Sequence, residues 1–313
     1  MKATIYYRGS LTSCNYDCPY CPFSKNKDSA ATLAKDKEQL LRFIAWVREQ
    51  ELAGHELYIF FNPYGEGLIH RWYREGMAAL SHMPHVRKVV IQTNLSANVN
   101  WTDTLHREKA AFWVTYHPGQ CKEEAFVAQC TELYKQGISF SVGTVGVRSA
   151  FEAIASIRRR LPQDVYVWVN AFKDVPDYYT VEEAEELRRL DPLFDLNRAD
   201  YDSLGKRCMA GEDVFYVLGS GRVKRCYKDR AVIGDLYRDG LEGLSKQRLC
   251  RMKQCGCYIG YKHMPELAMA DWYGDGLLER VPTQYASIAH KLDGQAAREQ
   301  EEQRWKTHPA SRD

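Results

Sequence analysis

The sequence of 313 residues has no long apolar run, no large excess of either charge and little of the N-terminal apolar character typical of a signal segment, so we expect no signal peptide. No apolar stretch approaches the ~20 residues that a membrane-spanning helix needs, so we expect no membrane segment. The formal net charge is +2, which gives no electrostatic reason to expect nucleic acid as a partner. Residues 1–8 predict a short β-strand and lack the apolar centre of a signal peptide, so we expect a cytoplasmic protein.

The first two thirds of the chain alternate between strand and helix patterns. Short apolar runs predict six strands, over residues 3–7, 57–61, 88–92, 112–116, 138–142 and 165–169. Apolar residues at helical spacing predict the helices between them, over residues 33–50, 72–81, 102–110, 123–136 and 150–161. Buried strands separated by helices favour a parallel sheet, so we expect an α/β fold with a partial (β/α)6 TIM-like barrel. Ligands gather at the carboxyl ends of the strands in such folds.

The pattern changes after about residue 195. Strand patterns over residues 214–218 and 223–226 flank Gly219-Ser220-Gly221 and predict a hairpin, and a short helix is expected over residues 241–249. The last residues, 291–313, are polar and charged. We therefore expect a barrel over residues 1–195, a small cysteine-rich α+β module over residues 196–275, and a helical or disordered tail over residues 276–313.

The ten cysteines form two groups and a remaining pair. In a cytosolic chain, clustered cysteines indicate metal binding or catalysis rather than disulfides. The remaining pair, Cys121 and Cys130, we expect to be ordinary core or surface residues. The members of the first group are Cys14, Cys18 and Cys21, and those of the second are Cys208, Cys226, Cys250, Cys255 and Cys257.

The first group has the spacing C-x3-C-x2-C and lies directly after the first predicted strand. Iron–sulfur clusters are held by thiolates. A cubane contains four irons, so three protein ligands leave one iron open. A structural zinc site needs a fourth ligand, and the nearest histidine, His55, lies beyond a predicted helix. A zinc site completed from elsewhere in the chain, or thiols without metal, are the alternatives.

The segment SCNYDCPYCPF, residues 13–23, resembles the cluster loop of the radical S-adenosylmethionine (SAM) superfamily. The resemblance implies that SAM binds the open iron of a [4Fe–4S] cluster. One electron then cleaves SAM to a 5′-deoxyadenosyl radical that abstracts hydrogen from substrate. It also implies a partial barrel, in agreement with the strand pattern, and an electron donor such as flavodoxin or ferredoxin.

The resemblance further implies where SAM would bind. The superfamily usually carries a Gly-Gly-Glu-Pro-like motif after the second strand, and this sequence keeps only Gly65 and Glu66 of it. We expect these two residues to bind the SAM amino group, with a plain turn as the alternative. Two of the candidates named next have a structural alternative: Asn94 could be a turn former instead, and His117 a structural residue. Polar residues at the ends of later strands are further candidates for contacts with SAM or substrate: Thr93, Asn94, Thr115, His117, Ser141 and Asn170.

The second group resembles the start of the twitch or SPASM extension of radical SAM enzymes. Cys208 is followed by a predicted hairpin, then by G-x4-C ending at Cys226 and by Ile233-Gly234-Asp235. The resemblance implies an auxiliary [4Fe–4S] cluster held by Cys208 and Cys226. Tetrahedral thiolate sites suit zinc as well as iron–sulfur, so a structural zinc site is the alternative. Two further ligands would come from Cys250, Cys255 and Cys257.

The resemblance leaves the substrate open between a peptide and a small molecule. We expect first the oxidation or cross-linking of a peptide or protein side chain. The second hypothesis is modification of a small metabolite, such as dehydrogenation of an alcohol. A non-catalytic iron–sulfur or zinc scaffold is the alternative of another class. The three-cysteine loop argues against a scaffold, because a scaffold does not need an open iron.

Overall fold

The computed structural model describes residues 1–23 and 26–283. The six predicted strands are present and pair in parallel in chain order. This arrangement confirms the α/β fold class that the sequence predicts. The strands are β1 (Lys2–Arg8), β2 (Glu56–Phe61), β3 (Val86–Thr93), β4 (Ala110–Thr115), β5 (Ser139–Val145) and β6 (Val167–Asn170).

Helices cover the outer face of this sheet. The first of them shows why: its Leu40, Phe43 and Val47 recur at helical spacing and are fully buried against the strands. Burying each such side chain stabilises the fold by roughly 1.5–3 kcal/mol. No helix within the described residues has the length and apolar character to cross a bilayer. The helices of this half are α1 (Ala30–Glu49), α2 (Arg71–Ser81), α3 (Glu123–Lys135), α4 (Phe151–Arg160) and α5 (Val181–Leu190).

The prediction of a helix over residues 102–110 is wrong. A short 3₁₀ helix, Asn100–Thr104, takes its place, and β4 already begins at Ala110. The hydroxyls of Thr102 and Thr104 donate to backbone carbonyls three residues back. Threonine hydroxyls that bond locally in this way compete with a regular α-helix.

The second half of the chain extends the same sheet. The predicted hairpin is present as β8 (Val214–Leu218) and β9 (Arg222–Lys224). β8 pairs in parallel with β1, and β10 (Val232–Asp235) pairs antiparallel with β9. The nine-stranded sheet therefore runs β10-β9-β8-β1-β2-β3-β4-β5-β6, and the cysteine-rich part is continuous with the barrel. The later elements are α6 (Phe194–Arg198), β7 (Tyr201–Asp202), β8 (Val214–Leu218), β9 (Arg222–Lys224), β10 (Val232–Asp235), α7 (Leu236–Leu244), β11 (Gln254–Cys255), α8 (Tyr258–Tyr261) and α9 (Met269–Tyr273).

The helix predicted over residues 241–249 lies earlier in the chain, as α7. Its start is fixed by Asp235, whose carboxylate accepts hydrogen bonds from the backbone N–H groups of Tyr237 and Arg238. It ends at Leu244, and Leu249 beyond it forms a β-bridge with Arg207, so residue 249 is not helical. The sequence prediction missed the aspartate cap and placed the helix too late.

The first residues of the predicted tail lie inside the barrel. Leu278, Glu279 and Arg280 are buried, with Glu279 only 1% exposed. Lys88 Nζ lies 2.7 Å from Glu279 Oε1, and the Ser139 hydroxyl donates to the same oxygen. Because Lys88 and Ser139 lie near the amino-terminal ends of β3 and β5, this segment closes that end of the sheet. The rest of the predicted tail, residues 284–313, lies outside the described residues.

The buried ion pair gives a test of this closure. Glu279→Gln removes the carboxylate and leaves the Lys88 ammonium buried without a counter-charge, so the free energy of unfolding should fall by about 3–5 kcal/mol. The double variant Lys88→Met/Glu279→Leu should recover much of the loss. Urea unfolding measures both, with the exposed Glu75→Gln as a control. Equal stability of Glu279→Gln and the wild type would contradict the placement.

Candidate functional site

A cavity of about 470 Å³ opens at the carboxyl ends of the parallel strands. Its size is within the range of small-molecule sites in proteins. All but one of the site residues predicted in this half of the chain line it. They are Cys14, Cys18, Cys21, Gly65, Glu66, Thr93, Asn94, Thr115, His117 and Asn170.

The loop that carries the first three cysteines is held at its start by Asp28. One carboxylate oxygen accepts hydrogen bonds from the backbone N–H groups of Thr12 and Ser13, and the other accepts from the Thr12 hydroxyl. Further along the loop, the Gln120 side-chain amide both accepts from the N–H and donates to the C=O of Asp17. These bonds fix the backbone on both sides of Cys14.

Gly65 packs directly against this loop. A Cβ atom added at Gly65 would lie 1.7 Å from the carbonyl oxygen of Ser13, a distance that no side chain tolerates. Only glycine lets the backbone after β2 come this close to the residue before Cys14. Gly65 therefore positions the cysteine loop, whatever else it contacts.

Asn94 connects the end of β3 to the same loop. Its side-chain amide donates to Asn15 Oδ1 at 3.1 Å and lies 3.7 Å from Cys14 Sγ. The backbone N–H of Tyr16 lies 3.5 Å from the same sulfur. Donors to a cysteine sulfur stabilise its thiolate form and tune a metal bound to it.

The donor set of this loop fits an iron–sulfur cluster. The three thiols lie on one cavity wall. Burial raises the pKa of the Cys14 thiol, and the hydrogen bond from the Tyr16 backbone N–H partly offsets this rise. Within the described part of the chain, no three His, Cys, Asp or Glu side chains are close enough to share a single metal ion. A cubane holds its cysteines farther apart, because each sulfur binds a different iron.

Glu66 is 2% exposed and is already bonded. It accepts hydrogen bonds from the backbone N–H groups of Leu68 and Asn94 and from the Thr93 hydroxyl. Burial raises the pKa of the carboxyl, and these three donors oppose the shift. Glu66 and Thr93 thus connect the ends of β2 and β3. A ligand ammonium could still donate to the lone pairs of the Glu66 carboxylate that these three donors do not use.

His117 faces the cysteine loop from the end of β4. Its Nδ1 lies 2.9 Å from the Tyr20 hydroxyl, and its ring stacks on Tyr20 and meets the edge of Tyr16. Burial lowers the pKa of His117 to about 4. The imidazole is therefore neutral near pH 7 and serves to place the two tyrosines.

Two residues of β4 that line the cavity each carry a buried polar atom with no hydrogen-bond partner among the described residues. These atoms are the hydroxyl oxygen of Thr115 and Nε1 of Trp113. Asn170, at the end of β6, is exposed and also lines the cavity. A buried donor without a partner costs about 1–3 kcal/mol, so these groups fit a site whose ligand supplies their hydrogen bonds.

Ser141 does not belong to this cavity, contrary to the sequence prediction. Its hydroxyl donates to the backbone carbonyl of Glu279 and accepts from Trp168 Nε1. The same indole occupies the space beside the neighbouring Gly143, where an added Cβ would lie only 2.1 Å from the Trp168 ring. The small residues Ser141 and Gly143 of β5 accommodate Trp168 and the carboxyl-terminal segment, and the part of β5 that lines the cavity is Val145.

The second group of cysteines lines one smaller cavity together. Buried Arg225 joins the segments that carry them: its guanidinium donates to the carbonyl oxygens of Ala210, Arg248 and Leu249. Burial raises the pKa of the Cys208 and Cys226 thiols, and that of Cys255 to about 12. All five cysteines of the group thus line one cavity, although within the described residues no three of them are close enough to hold a single metal ion.

The two cavities share a wall. Cys257 and Tyr227 line both of them. Lys173, after β6, holds the Cys257 loop by donating to the Gly256 carbonyl, the Ala199 carbonyl and Asp200. This junction was not predicted, because it depends on the fold of the second half of the chain onto the first.

Comparison with solved structures identifies the fold. The structure of anSMEcpe with bound AdoMet (SAM) matches with a TM-score of 0.54 and 14% identity, over 93% of this chain and 95% of that chain. The chain has the fold of anSMEcpe. A structure of anSMEcpe with bound AdoMet and Kp18Cys peptide matches with a TM-score of 0.54 and 13% identity, over 93% and 96%.

A third solved structure, BtrN in complex with AdoMet and 2-DOIA, matches with 18% identity over 78% of this chain and 82% of that chain. Its TM-score of 0.40 is too low to support a shared fold. No family model and no curated protein matches the sequence.

The site gives a prediction for pH. The folded-state pKa of His117, about 4, lies below the ordinary value of 6.5, so protonation favours the unfolded chain. The stability that neutral His117 contributes should be complete above pH 6.5 and decline as the pH falls through 4. NMR of the imidazole ring should show a midpoint near pH 4.

The signal is assigned by its absence in His117→Gln, and this variant should show a flatter stability profile between pH 6.5 and pH 4. His82→Gln, at an exposed position, serves as the control. A midpoint near 6.5 for His117 would contradict its burial beside Tyr20.

Proposed function

We propose that this chain is a radical SAM enzyme. The observation that carries the proposal is the position of Cys14, Cys18 and Cys21 together on the wall of a cavity at the carboxyl ends of a parallel sheet. That edge is where barrels of this kind bind ligands. The fold is shared with a protein solved with AdoMet bound, which supports the same ligand here.

Cys14, Cys18 and Cys21 would hold a [4Fe–4S] cluster, and this cluster would supply the electron for reductive cleavage of SAM to methionine and a 5′-deoxyadenosyl radical, the species that abstracts hydrogen in radical SAM enzymes. The residues of this chain would bind the cluster and SAM and hold them in a fixed orientation. Gly65, Asn94 and Gln120 hold the cysteine loop in one conformation. Thr115 and Trp113 offer buried hydrogen-bonding groups that no other described residue uses.

The second group of cysteines would hold an auxiliary [4Fe–4S] cluster. Support comes from their shared cavity and from Cys257, which lines the main cavity as well. A cluster there would lie beside bound substrate, where it would accept an electron from a substrate radical. Zinc is the alternative by ligand type, but the described residues bring no three of these thiols close enough to hold one ion.

The substrate we propose is a peptide or protein side chain. Support comes from the solved structure of the shared fold in which anSMEcpe binds AdoMet together with a peptide. The cavity is open to solvent through exposed residues such as Phe23 and Asn170, so a chain segment would have access. Flavodoxin or ferredoxin would supply the electron.

The test is SAM cleavage after anaerobic reconstitution with iron, sulfide and dithionite. The wild type should release 5′-deoxyadenosine, quantified by chromatography. Replacing Cys14, Cys18 or Cys21 by alanine should abolish the product, because each holds one corner of the cluster. Cys130→Ala, buried in α3 away from the cavity, should retain it.

No 5′-deoxyadenosine from the wild type, even with candidate peptides, would favour a metal scaffold. Product formed equally by the three loop variants would contradict the proposal directly. Hydrogen transfer from a small alcohol in place of a peptide would keep the chemistry and replace the substrate class.

A further inference from the structure

Arg8 ends β1 and is fixed in place at the cavity wall. Its Nε donates to the backbone carbonyl of Asn62 at 2.8 Å, and its Nη2 donates to the Asn62 side-chain oxygen. Asn62 is itself buried and donates to Gln92 at 2.7 Å. One edge of the guanidinium is therefore bound to the protein, and the group cannot rotate freely.

Two tyrosines hold the faces of the same group. The guanidinium carbon lies 4.1 Å from the Tyr64 ring centroid and 4.9 Å from that of Tyr227. Phe23 stacks on Tyr64 with centroids 4.7 Å apart. The Tyr227 hydroxyl also accepts a hydrogen bond from the guanidinium. A guanidinium has five N–H donors; Asn62 takes two and Tyr227 takes one, so two donors on the Nη1–Nη2 edge remain for a ligand.

The charge of Arg8 has no carboxylate partner within the residues that the structure describes. Of the cavity's other charged groups, Glu66 accepts from three donors and Lys173 donates to three acceptors, while Asp174 is exposed to solvent and makes no ion pair with Arg8 among the described residues. A half-buried cation that is rigid and uncompensated is a binding site for an anion. The planar edge matches the two oxygens of a carboxylate, which it binds in a bidentate manner.

We propose that Arg8, with Tyr64 and Tyr227, is a carboxylate-binding subsite of the cavity. Phe23 belongs to the first cysteine loop and Tyr227 follows Cys226 of the second group, so the subsite lies between the two candidate metal sites. The carboxylate belongs either to the substrate or to the methionyl part of SAM. Only this assignment of the source rests on the proposed function, because the subsite needs no cluster in order to bind an anion.

The experiment is a titration of the full chain with benzoate and with its neutral counterpart benzamide, followed by isothermal calorimetry or ligand-observed NMR. The wild type should bind benzoate at least about tenfold more tightly than benzamide, since a charged hydrogen-bonded pair is lost with the amide. Arg8→Gln should remove this preference. Arg8→Lys, which keeps the charge and loses the planar edge, should retain part of it.

Arg71→Gln, an exposed arginine on α2 outside the cavity, is the matched control and should bind as the wild type does. Equal binding of benzoate by the wild type, Arg8→Gln and Arg8→Lys would overturn the subsite, and so would equal binding of benzoate and benzamide by the wild type.

SAM binding to the same variants then identifies the source of the carboxylate. If Arg8→Gln weakens SAM binding and SAM displaces benzoate, the carboxylate is that of the cosubstrate. If SAM affinity is unchanged and benzoate still binds beside SAM, the carboxylate is that of the substrate. Benzoate binding requires no electron transfer, so a failure of SAM cleavage would leave this result standing.

Discussion

The constraint on which the rest of the site depends is the contact between the cysteine loop and the backbone after β2. Gly65 meets the Ser13 carbonyl with no space for a side chain, and Asp28 and Asn94 secure the same loop by hydrogen bonds. Three thiols on an irregular loop are useful to a cluster only if their spacing is fixed. The sheet edge supplies that rigidity, and the cavity lies where the fixed loop and the strand ends meet.

A second constraint is the closure of the sheet at its other end. The segment with Glu279 and Arg280 enters from beyond α9 and packs under Trp168, with the Arg280 guanidinium 4.3 Å from that ring. Trp168 in turn fills the space left by Gly143 and lines the cavity. The floor of the cavity is therefore built from three distant parts of the chain.

Local patterns in the sequence were enough to predict the six strands and about a third of the residues that line the cavity. Strand ends were found from apolar runs, and their polar residues, such as Thr93 and His117, do line the cavity. The same rule applied to β1 and β2 would have found Arg8 and Asn62. The prediction that Ser141 lines the cavity failed because its hydroxyl is bonded to Trp168 and to the Glu279 backbone. Contacts between residues that are distant in the sequence leave no local pattern. The wall that the two cavities share at Cys257 could not be predicted for the same reason.

The central claim is that one corner of a cluster held by the first three cysteines is free to bind SAM. The most direct test is EPR of the dithionite-reduced protein in a Cys208→Ala/Cys226→Ala background, recorded with and without SAM. The account predicts a reduced-cluster signal whose g-values shift when SAM is added, because SAM binds an iron that no cysteine holds. A signal that is identical with and without SAM would contradict it.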